Sequence, residues 1–212
     1  MPITRPDPRL EAVVFDVYGT LVEIGDKRAP FRQLLKHGER QGRPSTPSDA
    51  TAIMATPLAL RDAASLFGIA LTANEAAQLE RDLDAEIASC RLFPESLLTL
   101  HALRNRGLKL ALCSNLAADY GPPIMALLRD YVDVHVFSFE SGHIKPDPAI
   151  YAHACKMLNC EAGAVLMVGD TPLADVDGPR AVGMQSILLD RSRRAPSHDA
   201  IVSLSDLLLI GS

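Results

Sequence analysis

The stretch Val13-Val14-Phe15-Asp16-Val17-Tyr18-Gly19-Thr20 decides the fold. Apolar, β-favouring residues run unbroken from Ala12 to Phe15 and end at an aspartate. A strand buried on both faces reads this way, and such strands belong to parallel sheets. Gly19 lets the backbone turn tightly and come close to a ligand. Open α/β sheets put their ligands beyond the carboxyl ends of the strands, so Asp16 is expected at the mouth of a crevice. A surface turn after a strand would carry the same Asp and Gly. The rest of the chain chooses between the two.

Downstream of Thr20, residues 22–28 read as irregular. Helical spacing runs from Phe31 to about Gln41, and the stretch 42–48, with Pro44 and Pro47, breaks it. A second helical segment covers about 48–67, where Pro57 should kink or split it, and Gly68 fits a stop. Thr72 and Glu75 form a capping box that opens a helix reaching about Cys90. Residues 25–92 are therefore expected to be helical, with no strand. That is too long for a crossover. It reads as helices inserted above the strand ends, either a lid that excludes water and selects substrates or an extra layer over the sheet.

From Pro94 onward strands and helices alternate. A helix to Arg106 stops at Gly107, and a strand over 108–113 ends at Ser114-Asn115. Then come a helix at 123–130, a strand at 134–139, and a helix at 148–158 opened by Pro148. A strand over 164–168 ends at Gly169-Asp170, followed by a short helix at 176–181 and a strand at 184–189. The tail 201–210 reads as a short strand and a helix. This alternation predicts an α/β fold with a parallel sheet and right-handed crossovers.

Composition narrows the function classes. The net charge of −5 offers no electrostatic case for nucleic acid or an anionic membrane. The one basic cluster, Arg191-Ser192-Arg193-Arg194, reads as a solvated loop. The cysteines, Cys90, Cys113, Cys155 and Cys160, show no CxxC spacing, and Cys113 sits in an apolar run as a buried thiol. This usage suits a reducing compartment, and no zinc is expected. Met1 to Glu11 lacks a signal-peptide core and no run could span a bilayer, so a cytoplasmic protein is the expectation. The oligomeric state is open.

Polar stations stand at the ends of these elements: Asp16 with Thr20, Ser114 with Asn115, Lys145, and Asp170 with Asp175. A carboxylate nucleophile needs an electrophile in line and a way to neutralise developing charge. Ser114 can offer its hydroxyl where backbone amides favour anions, and Lys145 supplies positive charge. Asp16, Asp170 and Asp175 are hard oxygen donors suited to Mg²⁺. Taken singly, Ser114-Asn115 could cap a helix and Lys145-Pro146-Asp147-Pro148 could be a turn. Asp170 and Asp175 beside Gly169 would repel one another unless a cation sits between them.

Asp16-Val17-Tyr18-Gly19-Thr20, Ser114-Asn115, Lys145-Pro146-Asp147-Pro148 and Gly169-Asp170-Thr171-Pro172-Leu173-Ala174-Asp175 together resemble the four motifs of the haloacid dehalogenase-like (HAD) hydrolases. Order and spacing match over about residues 11–190, and Ser141-Gly142 and Val176-Asp177-Gly178 add smaller matches. The resemblance implies a Rossmann-like core, residues 1–22 and 94–212, with an α-helical cap over 25–92. It makes Asp16 the nucleophile. Ser114 and Lys145 would hold the substrate anion, with Gly19, Thr20 and Asn115 beside it. Mg²⁺ would be bound by Asp16, the Tyr18 carbonyl and Asp170, with Asp175 in support. The substrate would be a small anion, most simply a phosphorylated metabolite.

One position departs from the phosphatase pattern. Family phosphatases usually carry a second aspartate two residues after the nucleophile, and this chain has Tyr18 there. With a reference pKa of about 10, tyrosine is a poor base at neutral pH. The Tyr-Gly-Thr form looks like that of the 2-haloacid dehalogenases, whose leaving halide needs no proton. Those enzymes work without a metal, typically have Ser-Asn where this chain has Gly169-Asp170, and use an arginine soon after the first motif. Arg28 and Arg32 lie in that region. Retaining two acids without a metal would discourage ionisation of Asp16 and repel a carboxylate substrate. The reading is therefore a Mg²⁺ phosphatase, with a dehalogenase and a non-catalytic binding module as alternatives. For a lid, Gly25 and the Phe93-Pro94 step are the candidate hinges, and Arg28, Arg32 and Lys36 the charged groups nearest a substrate.

Overall fold

Val13 and Phe15 face one side of a sheet, Ala12 and Val14 the other, and none is exposed. These residues form β1 (Ala12–Phe15). The computed structural model describes residues 10–193, 195–197 and 199–209. Most of the N-terminal stretch, Arg194 and Ile210 lie outside the described residues. After β1 come β2 (Val22–Ile24) and α1 (Pro30–Arg40), α2 (Pro47–Ala55), α3 (Leu60–Leu66) and α4 (Ala73–Ala88). The chain returns through β3 (Cys90–Leu92) to α5 (Ser96–Asn105), β4 (Lys109–Ser114), α6 (Gly121–Leu128) and β5 (Val134–Phe137). Then follow α7 (Ser138–Ser141), α8 (Pro148–Leu158), β6 (Val165–Gly169), α9 (Gly178–Ala181), β7 (Gln185–Leu189) and β8 (Ala200–Ile201).

Among the described residues the main sheet has six strands in the order β5-β4-β1-β6-β7-β8, every pair parallel. Register keeps like faces together. Val13 lies between Leu110 and Leu166, and Val14 between Ala111 and Met167. On one face Val13, Phe15, Leu110 and Leu112 pack with Leu100 and Leu103 of α5 and Ile124 and Leu128 of α6. On the other, Val14, Ala111, the Cys113 thiol and Met167 pack with Ile150, Tyr151, Ala154 and Leu158 of α8. Burying apolar area on both faces is worth roughly 25 cal/mol per Å², so continuous apolar strands settle at the centre.

The helices α1–α4 all fall between β2 and β3. Their buried residues Leu34, Ile53, Leu60, Leu79 and Leu83 join the same apolar cluster as the α5–α6 face. Glu86 of α4, 5 % exposed, ties this segment inward. Its carboxylate accepts from the backbone N–H groups of Arg28 and Ala29 (both 2.5 Å), just before α1, and from the Tyr120 hydroxyl (2.8 Å) in the loop after β4.

The sequence pattern placed most elements and missed others. Residues 25–92 do contain a strand: β3 pairs antiparallel with β2, which begins the stretch read as irregular. Each strand has only three residues, and their centre is an ion pair, Arg91 to Glu23 at 2.8 Å, so neither shows apolar alternation. The strand expected to Phe139 ends at Phe137, because buried Ser138 turns the chain and accepts the Leu116 N–H (2.9 Å). The helix expected at 176–181 is a π-helical turn (Pro172–Asp177) running into α9. In the expected tail helix, the described residues Leu204–Leu209 form 3₁₀ turns. Pro57 does split its segment, into α2 and α3, and the Thr72–Glu75 capping box is formed.

A second box opens α2. The buried Asp49 carboxylate accepts from the Thr46 N–H (2.9 Å) and from both terminal nitrogens of Arg43 (2.9 and 2.8 Å). The Arg43 hydrogen bonds pull its pKa down to about 2. A depressed folded-state pKa adds stability above the ordinary carboxylate range, and that stability is lost as pH falls through the folded value. Asp49→Asn is therefore expected to lower Tm by about 2–4 °C at neutral pH. The difference from wild type should shrink as pH falls from about 4 toward 2 in a series of thermal melts.

Candidate active site

β1 lies between β4 and β6, and neighbouring strands sit only about 4.8 Å apart. Asp16 after β1, Ser114 at the end of β4 and Asp170 after β6 are therefore brought together by topology. Lys145 reaches the same place from the turn before α8. The Ser114 hydroxyl donates to Asp16 Oδ1 at 2.9 Å, and Lys145 Nζ donates to the same oxygen at 2.8 Å. Lys145 Nζ also meets Asp175 Oδ1 at 2.6 Å. The Thr20 hydroxyl makes a long contact, 3.5 Å, to Asp16 Oδ2, which is thus the less encumbered oxygen. The Thr171 N–H holds Asp175 Oδ2 at 2.9 Å.

Two glycines make the close packing possible. A Cβ on Gly19 would stand 2.1 Å from Asp170 Oδ2, and its φ of +82° is left-handed backbone as well. A Cβ on Gly169 would stand 2.3 Å from Asp175 Cγ.

Electrostatics at this point are dominated by burial. Burial favours the neutral form of Lys145, but Asp16 and Asp175 outweigh it and hold the ammonium charged well above the usual lysine range. Burial raises the Asp175 carboxyl, with Asp16 adding repulsion against the pull of Lys145. Burial and then the Asp16 charge raise Asp170. Asp16, Asp170 and Asp175 each offer an oxygen, all within 4.8 Å of one another. Lys145 offsets one negative charge of this group. The donors are hard oxygens and their crowding favours a cation, so the residues fit Mg²⁺.

Other expected site residues take different parts. Both ends of the Asn115 amide are engaged: Oδ1 accepts the Lys145 N–H at 2.7 Å and Nδ2 donates to the Lys145 carbonyl at 2.9 Å. Its side chain thus holds the Lys145 backbone in place. The Tyr18 hydroxyl turns toward the helical segment, where the Cys90 thiol donates to it at 3.7 Å. Its ring meets Tyr120 edge-on, centroids 5.9 Å apart. Burial raises the Tyr18 phenol far above its ordinary range, so it stays protonated. Arg28 is spent on Asp26 and Asp82, both at 2.8 Å, whereas Arg32 lines an apolar cavity of about 340 Å³ between α1, α2 and the loop after β4. Two further cavities, about 420 and 240 Å³, share Gly19, Phe93 and Asp170 in their walls. Arg191 lines the larger one and is not a solvated loop residue. Its only sequence signal was a basic cluster.

A parallel α/β sheet thus brings Asp16 and Asp170 together at adjacent strand ends, with Lys145 and Asp175 reaching them from the turns beside it. The chain belongs to the haloacid dehalogenase-like hydrolase family, whose sequence model matches residues 10–183. It is 40 % identical over 92 residues to human haloacid dehalogenase-like hydrolase domain-containing protein 3, covering 43 % of this chain and 37 % of the relative. It is 32 % identical over 119 residues to a plasmid-encoded phosphoglycolate phosphatase of Cupriavidus necator, covering 55 % and 51 %. The chain spans about half or less of the length of these curated relatives. Among solved structures, a 2-haloacid dehalogenase from Pseudomonas syringae pv. Tomato superposes with a TM-score of 0.63 at 24 % identity, covering 95 % of this chain and 97 % of that one. That likeness shows the shared fold.

The Asn115 grip is open to test. Asn115→Ala removes both partners of the Lys145 backbone and is expected to cost about 2 kcal/mol in urea unfolding. Unchanged stability would show that water replaces the amide fully.

Proposed function

We propose that the chain is a Mg²⁺-dependent phosphatase acting on a small phosphorylated metabolite, with Asp16 as nucleophile. The observation that carries this reading is the crowding of Asp16, Asp170 and Asp175 oxygens within 4.8 Å of one another, with Lys145 between Asp16 and Asp175. Relatives with phosphatase names, for phosphoglycolate and phosphoserine among them, support it. Asp16, Asp170 and the Tyr18 carbonyl would hold Mg²⁺, with Asp175 beside them. When bound, the ion supplies positive charge against the phosphoryl oxygens.

The chain's own groups then divide the work. Asp16 attacks phosphorus; an Asp16–phosphate bond forms as the bond to the leaving oxygen breaks, and that oxygen takes its proton from solvent water. Lys145 and Ser114 fix the carboxylate before attack and offer donors to the phosphoryl oxygens during it. Water later cleaves the aspartyl-phosphate and returns Asp16. Tyr18, protonated and turned toward Cys90, gives the leaving oxygen no carboxylic proton donor. In the same reading residues 25–92 form a cap over the site, with residues 1–22 and 94–212 as the core.

Tyr18 also favours a second reading. A 2-haloacid dehalogenase expels halide, which needs no proton, and would use Asp16 through an ester intermediate. It would have to work beside Asp170 and Asp175, whose charges oppose a carboxylate substrate.

p-Nitrophenyl phosphate hydrolysis is expected with Mg²⁺ and not in EDTA, and Asp16→Asn should reduce it to background. Halide release from L-2-chloropropionate in EDTA would instead establish the second reading. A further expectation concerns the leaving group. Tyr18→Asp should raise hydrolysis of alkyl phosphates relative to aryl phosphates, by up to about 10²-fold, the lower end of what general acid catalysis supplies. An unchanged ratio would rule out the missing acid as the cause of any aryl preference.

A further inference from the structure

Arg191, two residues beyond β7, joins two segments of the site's frame through its guanidinium. Nε donates to the Gly19 carbonyl at 3.3 Å and Nη2 to the Thr20 carbonyl at 2.9 Å. Nη1 meets Glu95 Oε1 at 2.6 Å, and the plane lies over the Phe93 ring, 3.7 Å from its centroid. Gly19 and Thr20 belong to the segment leaving the sheet, whereas Phe93 and Glu95 belong to the segment returning to it. The two are also joined directly, because the Leu21 carbonyl accepts the Phe93 N–H (3.0 Å) and the Ser96 hydroxyl (2.8 Å).

The two carbonyls that Arg191 holds belong to the residues that touch the acids. Gly19 lies against Asp170, and the Thr20 hydroxyl reaches Asp16. Adjacent carbonyl oxygens converging on one point repel each other, and a shared cation offsets that repulsion. A planar fork with five N–H donors can serve two carbonyls, a carboxylate and a ring face together; an ammonium cannot.

We propose that Arg191 is a positioning residue: it sets the Gly19–Thr20 carbonyls against the Phe93–Glu95 return segment and thereby fixes the spacing of Asp16 and Asp170. The proposal rests on the reading of Asp16 and Asp170 as the working acids. It acts through those residues and requires no contact of Arg191 with substrate.

Arg191→Lys and Arg191→Gln are compared with the wild type in the full chain. Titration calorimetry with MgCl₂ reads the acids without turnover, and Mg²⁺ binding is expected to weaken by about 10–100-fold. With p-nitrophenyl phosphate, kcat is expected to fall by about 10–100-fold while KM changes little. Amide exchange should quicken at Gly19, Leu21, Val22 and Phe93 and stay unchanged in β4 and β6. Wild-type Mg²⁺ affinity and kcat in a folded Arg191→Lys variant overturn the proposal, and so does loss of folding in both variants, which would make Arg191 a determinant of the fold alone. Should the wild type neither bind Mg²⁺ nor cleave the ester, the phosphatase reading fails on its own. Exchange then decides for Arg191: quickening confined to the two segments supports it, and unchanged exchange overturns it.

Discussion

Lys145 carries its charge where charge is costly. It is 5 % exposed, yet its ammonium is held between Asp16 at 2.8 Å and Asp175 at 2.6 Å. Removing such ions from water costs several kcal/mol each, and only close partners offset the cost. The arrangement is therefore a mutual dependence. Without the lysine, two buried carboxylates would lie side by side; without the carboxylates, burial would favour the neutral form of the lysine. The rest of the site serves this contact. Asn115 holds the Lys145 backbone from the end of β4, and Thr171 holds the far oxygen of Asp175.

Topology supplies the meeting place. The sheet order sets β1 between β4 and β6, so three strand ends that are distant in sequence become neighbours in space. Parallel pairing points all of them the same way, and their apolar runs hold the register. A strand of Val and Phe with both faces covered cannot slip by one residue without exchanging its two sets of packing partners. The position of Asp16 thus depends on Val13, Val14 and Phe15 behind it. Glycine does the rest at Gly19 and Gly169, where any side chain would occupy the space of an aspartate.

The sheet was legible in the sequence because its signal is local. Ala12–Phe15 and Val165–Gly169 read as buried strands, and Pro148–Leu158 opens on its own proline. Ser114 and Asp170 could be found because they stand at the ends of β4 and β6, and Lys145 and Asp175 because they lie in the polar turns that follow β5 and β6. What escaped was whatever depends on a partner distant in sequence. β2 and β3 are strands only because they pair, and Glu23 and Arg91 look like loop charges until they stand opposite one another. Asn115 reads as a site residue beside Ser114, and its attachment to the Lys145 backbone appears only in three dimensions. Tyr18 signalled a departure in residue type, but nothing in the sequence told that its hydroxyl faces Cys90. Arg191 lay in a basic run whose composition suggested solvent.

The side-by-side pairing of β2 with β3 separates what lies above the sheet from what lies within it. The chain enters and leaves the α1–α4 segment at one place, with Val22 opposite Leu92 and Ile24 opposite Cys90. To the core, everything between those ends is a single closed loop. The entropy of closing a loop rises only slowly, by about 0.6 kcal/mol for each doubling of its length. By closure entropy alone a longer or shorter insertion would change the core little, but it would have to supply again the packing of Leu34, Ile53, Leu60, Leu79 and Leu83 and the Glu86–Tyr120 hydrogen bond. A graft made between Ile24 and Cys90 would keep this ladder, and with it the turn that leaves the sheet beside Asp16, while exchanging the helices between its ends.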